Sequence, residues 1–413
     1  MIVGGEIASS DIFSSEVVNG QIAGSEIASS DSLSSDVVNG QIASSEIASS
    51  DSLSSDVVNG QIASSEIASS EIKSGVITSG MPRAGLPVEA VADELARLEP
   101  RLRDPQGVDF PVLVQLLEAI FASGGKRIRP ALVFATARLG AGGSWDAGST
   151  VDGAEPEVLM NLAAAVETLH AATLIHDDLV DGALLRRGQP TLNTHWSPGA
   201  TVLAGDWLFA RAARFAAATR NVDVVQIFAR ELGTLTDGEL RQLFGRKAVP
   251  TMADYEYRIF AKTASLFEAA TEGTAAILGA DTATIAALAD YGRELGMAFQ
   301  IVDDILDYTS DEAKLGKPVG NDLRSGTVTL PAMNYLATHP DAAPWLAGAG
   351  PAPDGAVDGL VQAIRGHGPS IEAAWDAAQE RVGRSCAALE AVPPSPARDD
   401  LARLARYAVE RRS

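Results

Sequence analysis

Residues 170–181 read His170-Ala-Ala-Thr-Leu-Ile-His176-Asp177-Asp178-Leu-Val-Asp181, and they close an Ala/Leu-rich run that begins at residue 157. The run is far longer than a strand and lacks period-2 alternation, so it reads as one long helix. On a helix, Asp177 and Asp181 stand one turn apart on one face, with Asp178 beside them. The approach, Ala171 to Ile175, is apolar. Three carboxylates at the end of an apolar helix repel one another and lose solvation. A divalent cation relieves both penalties, and hard oxygen donors suit Mg²⁺. The plain alternative for a single such triad is a solvated acidic helix end.

The triad is not alone. Asp303-Asp304-Ile-Leu-Asp307 repeats it 126 residues later, after the apolar approach Met297 to Val302. Further Ala/Leu-rich segments at 201–219, 255–279 and 282–308 also exceed strand length, and loops rich in Gly, Pro and Ser mark 140–156 and 338–356. No alternating strand pattern follows residue 80. The expectation for residues 81–413 is an all-α domain in which two triads face each other across a cleft. Magnesium held by one or two carboxylates takes its other ligands from substrate phosphates and water, so paired triads suggest a diphosphate between them.

Basic groups agree with an anionic substrate. Gly124-Gly-Lys126-Arg127-Ile-Arg129-Pro130 joins a glycine turn to three cations, Arg186-Arg187-Gly188 follows the first triad, and Lys262-Thr263 and Lys317 come later. Arginine forks match phosphate oxygens and lysine supplies a point charge. Each alone would read as surface decoration.

The formal charge is −22, from 54 acids and 32 bases. That balance excludes a nucleic-acid binder, which needs a basic footprint. One cysteine, Cys386, leaves no internal disulfide and no cysteine-based zinc site. No apolar run approaches the ~20 residues of a membrane helix, and the first residues lack the pattern of a signal peptide. The expectation is a cytoplasmic protein without a transmembrane segment, peripheral membrane contact being left open for product release.

Residues 1–80 differ from the rest. Residues 45–64 repeat residues 25–44 without change, and an Ile/Val period of five runs from Ile7 to Ile77, broken at Ser32 and Ser52. A period of five fits neither helix nor strand. It resembles the pentapeptide-repeat family, whose four-sided β-helix would place twenty residues in each turn. Stacked turns would align Glu6, Glu26, Glu46 and Glu66 in one repelling column, at about 4.8 Å spacing. That favours the other reading, a Ser-rich disordered segment, whereas a ladder of Asn19, Asn39 and Asn59 favours the solenoid. Both stay open. The domain division is 1–80 and 81–413.

Residues 85–413 resemble the all-trans polyprenyl diphosphate synthases of the isoprenoid synthase class. The strings that carry the resemblance, in the family's order, are GGKRIRP (124–130), HAATLIHDDLVD (170–181), RRGQPT (186–191), LAGDWLFARA (203–212), DGELRQL (237–243), KTASLFEAA (262–270), FQIVDDILD (299–307) and GKPVGNDLRSGTVTLP (316–331). The resemblance implies a helical bundle around a central cavity, a homodimer, and repeated condensation of isopentenyl diphosphate with an allylic diphosphate. By motif, Asp177, Asp178, Asp181, Asp303, Asp304 and Asp307 would hold Mg²⁺. Arg186, Lys262 and Lys317 would contact the allylic diphosphate. Lys126, Arg129, His170 and Arg187 would bind isopentenyl diphosphate, and Thr263 and Gln300 would flank the reacting carbons. Thr327 stands where the family usually has Lys, which removes one cation near the diphosphate. His176 reads as a structural hydrogen-bond partner. His195, His339 and His367 carry no functional case, and Trp196, Trp207 and Phe209 read as packing residues.

Product length is read from the helix below the first triad. Thr173 lies about 6 Å down the face of Asp177, Leu169 about 12 Å and Ala165 about 18 Å. Ala172 and Thr173 are small, so a growing tail should pass. Leu169 narrows the path and Ala165 leaves room, unless Phe209 or Phe215 from neighbouring helices sets the floor. The expected product exceeds about fifteen carbons, in the range of about thirty to fifty by this rise per residue. Geranylgeranyl diphosphate is the shorter alternative. A terpene cyclase and a catalytically silent partner subunit are the rival functions.

Overall fold

The computed structural model describes residues 89–105, 108–122, 125–140, 156–186, 189–245, 249–310, 319–347 and 352–410. Both readings of residues 1–80 lie outside the described residues. The first half of the bundle runs α1 (Ala92–Arg103), α2 (Pro111–Ala122), α3 (Ile128–Gly140), α4 (Pro156–Val180), α5 (Pro198–Ala218) and α6 (Val222–Gly245). The second half opens with α7 (Met252–Ile259), a π-helical turn (Phe260–Ala264), α8 (Ser265–Ile277) and α9 (Thr282–Thr309). It closes with α10 (Asn321–Arg324), α11 (Leu330–Thr338), α12 (Ala356–Gly366), α13 (Gly368–Ala388) and α14 (Pro396–Glu410). The all-α expectation holds with one small exception. Leu185–Arg186 (β1) and Gln189–Pro190 (β2) pair antiparallel in a short hairpin just after the first triad.

Local chemistry sets the helix boundaries. Ser197 caps α5, its hydroxyl accepting the Ala200 N–H at 3.4 Å, with Pro198 in the first turn. Thr251 and Asp254 form a reciprocal capping box at the start of α7. Asp281 opens α9 by accepting the Thr284 N–H at 2.9 Å. Helix α8 stops at Gly279, whose φ of 66° lets the Ala280 N–H return to the Ala275 carbonyl at 3.1 Å.

Two helices organise the core. Helix α4 packs against α5, α3, α8 and α1, and helix α9 against α13, α8 and the π turn. Residues all round α4 are buried, among them Leu159, Leu162, Val166 and Leu169; a helix apolar on every side must be surrounded by protein or lipid. The sequence reading missed this: by length and composition α4 could cross a membrane, but 78% of its most apolar window is covered by the rest of the bundle.

The π turn is seated by close approach. A Cβ on Gly296 of α9 would lie 2.5 Å from the Ala264 Cα, and one on Gly238 of α6 would lie 2.5 Å from the Ala261 Cβ. Only glycine lets α6 and α9 come this near to both ends of the turn. Gly296→Ala is therefore expected to lower the unfolding free energy by about 1–3 kcal/mol, measured by urea denaturation. Gly233→Ala, on α6 with open space at its Cβ, is expected to be neutral or to stabilise by up to about 1 kcal/mol.

Candidate active site

The first triad ends α4. Asp177 and Asp178 are mostly buried and Asp181 is exposed. Each of the first two is met by a cation. The Lys262 ammonium lies 3.2 Å from Asp177 Oδ2 and donates to Glu239 Oε1 at 2.9 Å. Arg186, carried back by the β1–β2 hairpin, donates from Nε to both oxygens of Asp178 at 2.9 and 3.0 Å. Burial raises the Asp178 pKa above the usual carboxylate range, while Arg186 works against that rise. Burial likewise disfavours the charge on Lys262, but Asp177 and Glu239 outweigh it and hold its pKa above the ordinary lysine value.

The second triad lies on α9. Asp303 is exposed, whereas Asp304 and Asp307 are each 2% exposed. Asp304 accepts from the Tyr255 hydroxyl at 2.8 Å and from the Gln300 amide at 2.9 Å. Its burial, reinforced by the Asp322 charge, pushes its pKa up to about 7 against those hydrogen bonds. Asp307 accepts the Asp322 N–H at 3.1 Å.

The π turn joins the two triads. Lys262 reaches α4, and the next residue, Thr263, donates its hydroxyl to Gln300 Oε1 at 2.5 Å. Lys262 contacts Asp177, and Thr263, its neighbour in the chain, is linked through Gln300 to Asp304. Extra-residue turns of this kind recur at functional positions.

The remaining sequence candidates divide. Lys126 is exposed at the start of α3, and the Arg129 guanidinium sits 5.0 Å from the Phe267 ring centroid. Arg127 between them is a structural clamp. It bonds Glu99 of α1 at 2.6 Å and Glu167 of α4 at 2.7 Å, in a left-handed backbone conformation with φ of 47°. His170 is partly buried, its carbonyl accepting the Thr173 hydroxyl at 2.8 Å. Ala172, Leu169 and Ala165 are buried and Thr173 partly so. Arg187 and Lys317 lie outside the described residues. His176 has the structural surroundings expected of it: its Nε2 is 3.1 Å from the Val202 carbonyl, and its ring meets Phe209 edge-on at 5.0 Å.

Glu239 and Tyr255 were missed as site residues. Glu239 lies inside the DGELRQL string, so its signal was present; that of Tyr255 was not, because its partner Asp304 is reached only through the fold. Among the described residues, no three acidic, histidine or cysteine side chains converge at metal-ligand spacing. Magnesium needs no such cage, because one or two carboxylates with substrate phosphate and water suffice. The all-oxygen donors at the ends of α4 and along α9 fit it.

Comparison with known proteins agrees with this geometry. Residues 110–350 match the polyprenyl synthetase family. The chain is 34% identical over 327 residues to solanesyl-diphosphate synthase 2, chloroplastic, of Oryza sativa subsp. japonica, covering 78% of this chain and 79% of the relative. It is 33% identical over 328 residues to the octaprenyl diphosphate synthase of Escherichia coli strain K12, covering 78% and 97%. The crystal structure of a polyprenyl synthase from Caulobacter crescentus CB15, complexed with calcium and isoprenyl diphosphate, superposes with a TM-score of 0.71 at 35% identity. It covers 80% of this chain and 100% of that one. The chain belongs to the polyprenyl synthetase family, and its described helices have the isoprenoid synthase fold.

Tyr255→Phe removes one of two donors to a buried carboxylate. The unfolding free energy is expected to fall by about 1–3 kcal/mol, read from urea denaturation at neutral pH; an unchanged midpoint would show that Asp304 finds another donor.

Proposed function

We propose that this chain is a Mg²⁺-dependent trans-prenyltransferase. It condenses isopentenyl diphosphate with an allylic diphosphate and releases a polyprenyl diphosphate longer than farnesyl. One observation carries this reading: adjacent residues of one π turn, Lys262 and Thr263, reach the two triads, Lys262 at Asp177 and Thr263 through Gln300 at Asp304.

The allylic diphosphate is taken by Lys262, Arg186 and Lys317, and isopentenyl diphosphate by Lys126, Arg129, His170 and Arg187. Asp177, Asp178, Asp181, Asp303, Asp304 and Asp307 would hold Mg²⁺, which would supply charge neutralisation at the leaving diphosphate. When the allylic C–O bond breaks, its electron pair leaves with the diphosphate, and the lysine and arginine side chains stabilise that developing charge. The apolar walls keep water from the allylic cation. Thr263 and Gln300, tied to each other, hold the reacting carbons beside the diphosphate end. The double bond of isopentenyl diphosphate attacks, a carbon–carbon bond forms, and a proton is lost to the departing diphosphate. No side-chain nucleophile is needed.

Small residues at Ala172 and Thr173 support a product beyond farnesyl diphosphate, and the names of the solanesyl and octaprenyl relatives favour a medium or long chain over geranylgeranyl diphosphate. Exposed apolar side chains on α5 and α6, among them Leu203, Leu243 and Phe244, support a homodimer. The reading includes a cytoplasmic enzyme with peripheral membrane contact where the apolar product leaves.

The test is incorporation of labelled isopentenyl diphosphate with excess Mg²⁺. Asp177→Ala and Asp304→Ala are each expected to lower turnover at least about a hundredfold while the fold is kept. Near-normal activity in either variant contradicts a shared two-triad site. The proposed domain boundary near residue 80 has its own check. All the motifs lie beyond residue 120, so a chain beginning at Pro82 is expected to fold and to match the turnover of the full chain. Insolubility or inactivity of that shortened chain would make the repeats part of the enzyme.

A further inference from the structure

Helices α4 and α6 each run away from the Lys262 ammonium, and both line one small cavity below it. Asp177 on α4 and Glu239 on α6 share the Lys262 ammonium, which fixes a common level. Leu169 and Glu231 each lie eight residues below it, about 12 Å down at 1.5 Å per residue. Ala165 and Phe228 follow at about 16–18 Å. Between them is a cavity of about 10 Å³ whose lining includes Ala165, Leu169, Phe228, Leu266 and Glu231. Its free volume is about that of one water.

Glu231 is out of place among these walls. It is 2% exposed, and its Oε2 has no hydrogen-bond partner. Its Oε1 accepts from Arg230 Nε at 3.1 Å, and the Ser265 hydroxyl of α8 is a second polar neighbour that favours its charge. The lining from α4 and α5 carries no titratable group, only Leu162, Ala165, Val166, Leu169 and Ala216. From α8 the nearby groups are Ser265 and Glu268. Arg293 of α9 pairs with Glu268 at 2.9 Å, and Arg230 is shared between Glu231 and Glu272 of α8. Burial pushes the Glu231 pKa up to about 7; Arg230 opposes the shift and Glu268 adds to it.

We propose that Glu231 is a specificity-determining residue for product length: its carboxylate is a polar stop in the channel that the growing hydrocarbon tail must pass. Covering an ionised carboxylate with hydrocarbon costs far more than covering a neutral acid. The charged form therefore halts the tail at the level of Leu169, and the protonated form lets it slide past toward Phe228. The sign follows. Below about pH 7 the neutral form dominates and products lengthen; above it they shorten. The inference rests on the proposed reading that the tail runs down α4.

The test is the mass distribution of products from farnesyl and isopentenyl diphosphates, made by the full chain at about pH 6 and about pH 8. The neutral fraction of a group with a pKa near 7 changes about tenfold between these values. The wild-type ratio of longer to shorter products is expected to fall by up to about that factor as pH rises. Glu231→Gln should remove the pH dependence of the ratio, and Glu231→Leu should give the longer set at both pH values. The isosteric glutamine variant keeps the test intact if the leucine variant does not fold. Variants with the wild-type distribution and the wild-type pH dependence overturn the role of Glu231. Ala172→Phe with Thr173→Phe separates the two levels of the argument. It should shorten products at both pH values, and if it does so while the Glu231 variants behave as wild type, only the Glu231 assignment falls. If the double variant leaves length unchanged, the tail does not follow α4.

Discussion

The ammonium of Lys262 lies between Asp177 and Glu239, and the rest of the site depends on that contact. Asp177, Asp178 and Asp181 stand together at the end of α4, and Glu239 shares the Lys262 ammonium with Asp177. Like charges about 4 Å apart repel by roughly 4 kcal/mol at the effective dielectric of a protein surface. A cation carried by the chain itself makes the arrangement tolerable before any metal or substrate arrives. Lys262 lies in the π turn at Phe260–Ala264 and reaches α4, while the next residue, Thr263, bonds Gln300 on α9. Gly238 and Gly296 let α6 and α9 approach that turn, and so shape the candidate site without touching it.

Below this polar end the bundle changes character. Leu169, Ala165 and Phe228 are buried among other apolar side chains. The separation suits a reaction that makes a diphosphate anion and an allylic cation from one neutral-looking bond: one product needs fixed positive charge, the other needs a dry wall. Helices α4 and α6 carry Asp177 and Glu239 at the polar end and Leu169, Ala165 and Phe228 below it.

Much of this was legible in the sequence, because it rests on local pattern. The helical runs, the two aspartate triads and the small residues Ala172 and Thr173 are spacing and size, which a sequence displays directly. What was not legible depends on packing. The π turn leaves no compositional mark; it is a register change held by neighbours distant in sequence. Arg127 looks like Lys126 and Arg129 in the string, yet Glu99 and Glu167 take it as a structural clamp. Tyr255 and Glu231 gain their meaning only from what lies opposite them. Helix α4 is apolar on every side because the bundle surrounds it, which its sequence alone does not show.

The most direct measurement of the central claim is a crystal structure of the full chain with Mn²⁺ and a non-ionising allylic diphosphate analogue, with the metal positions fixed by anomalous scattering. Carboxylates from both triads, Asp177 and Asp304 among them, should ligate metal on one diphosphate, with Lys262 turned from Glu239 toward a diphosphate oxygen. Metal bound at one triad alone, with the diphosphate away from Lys262, would contradict the account.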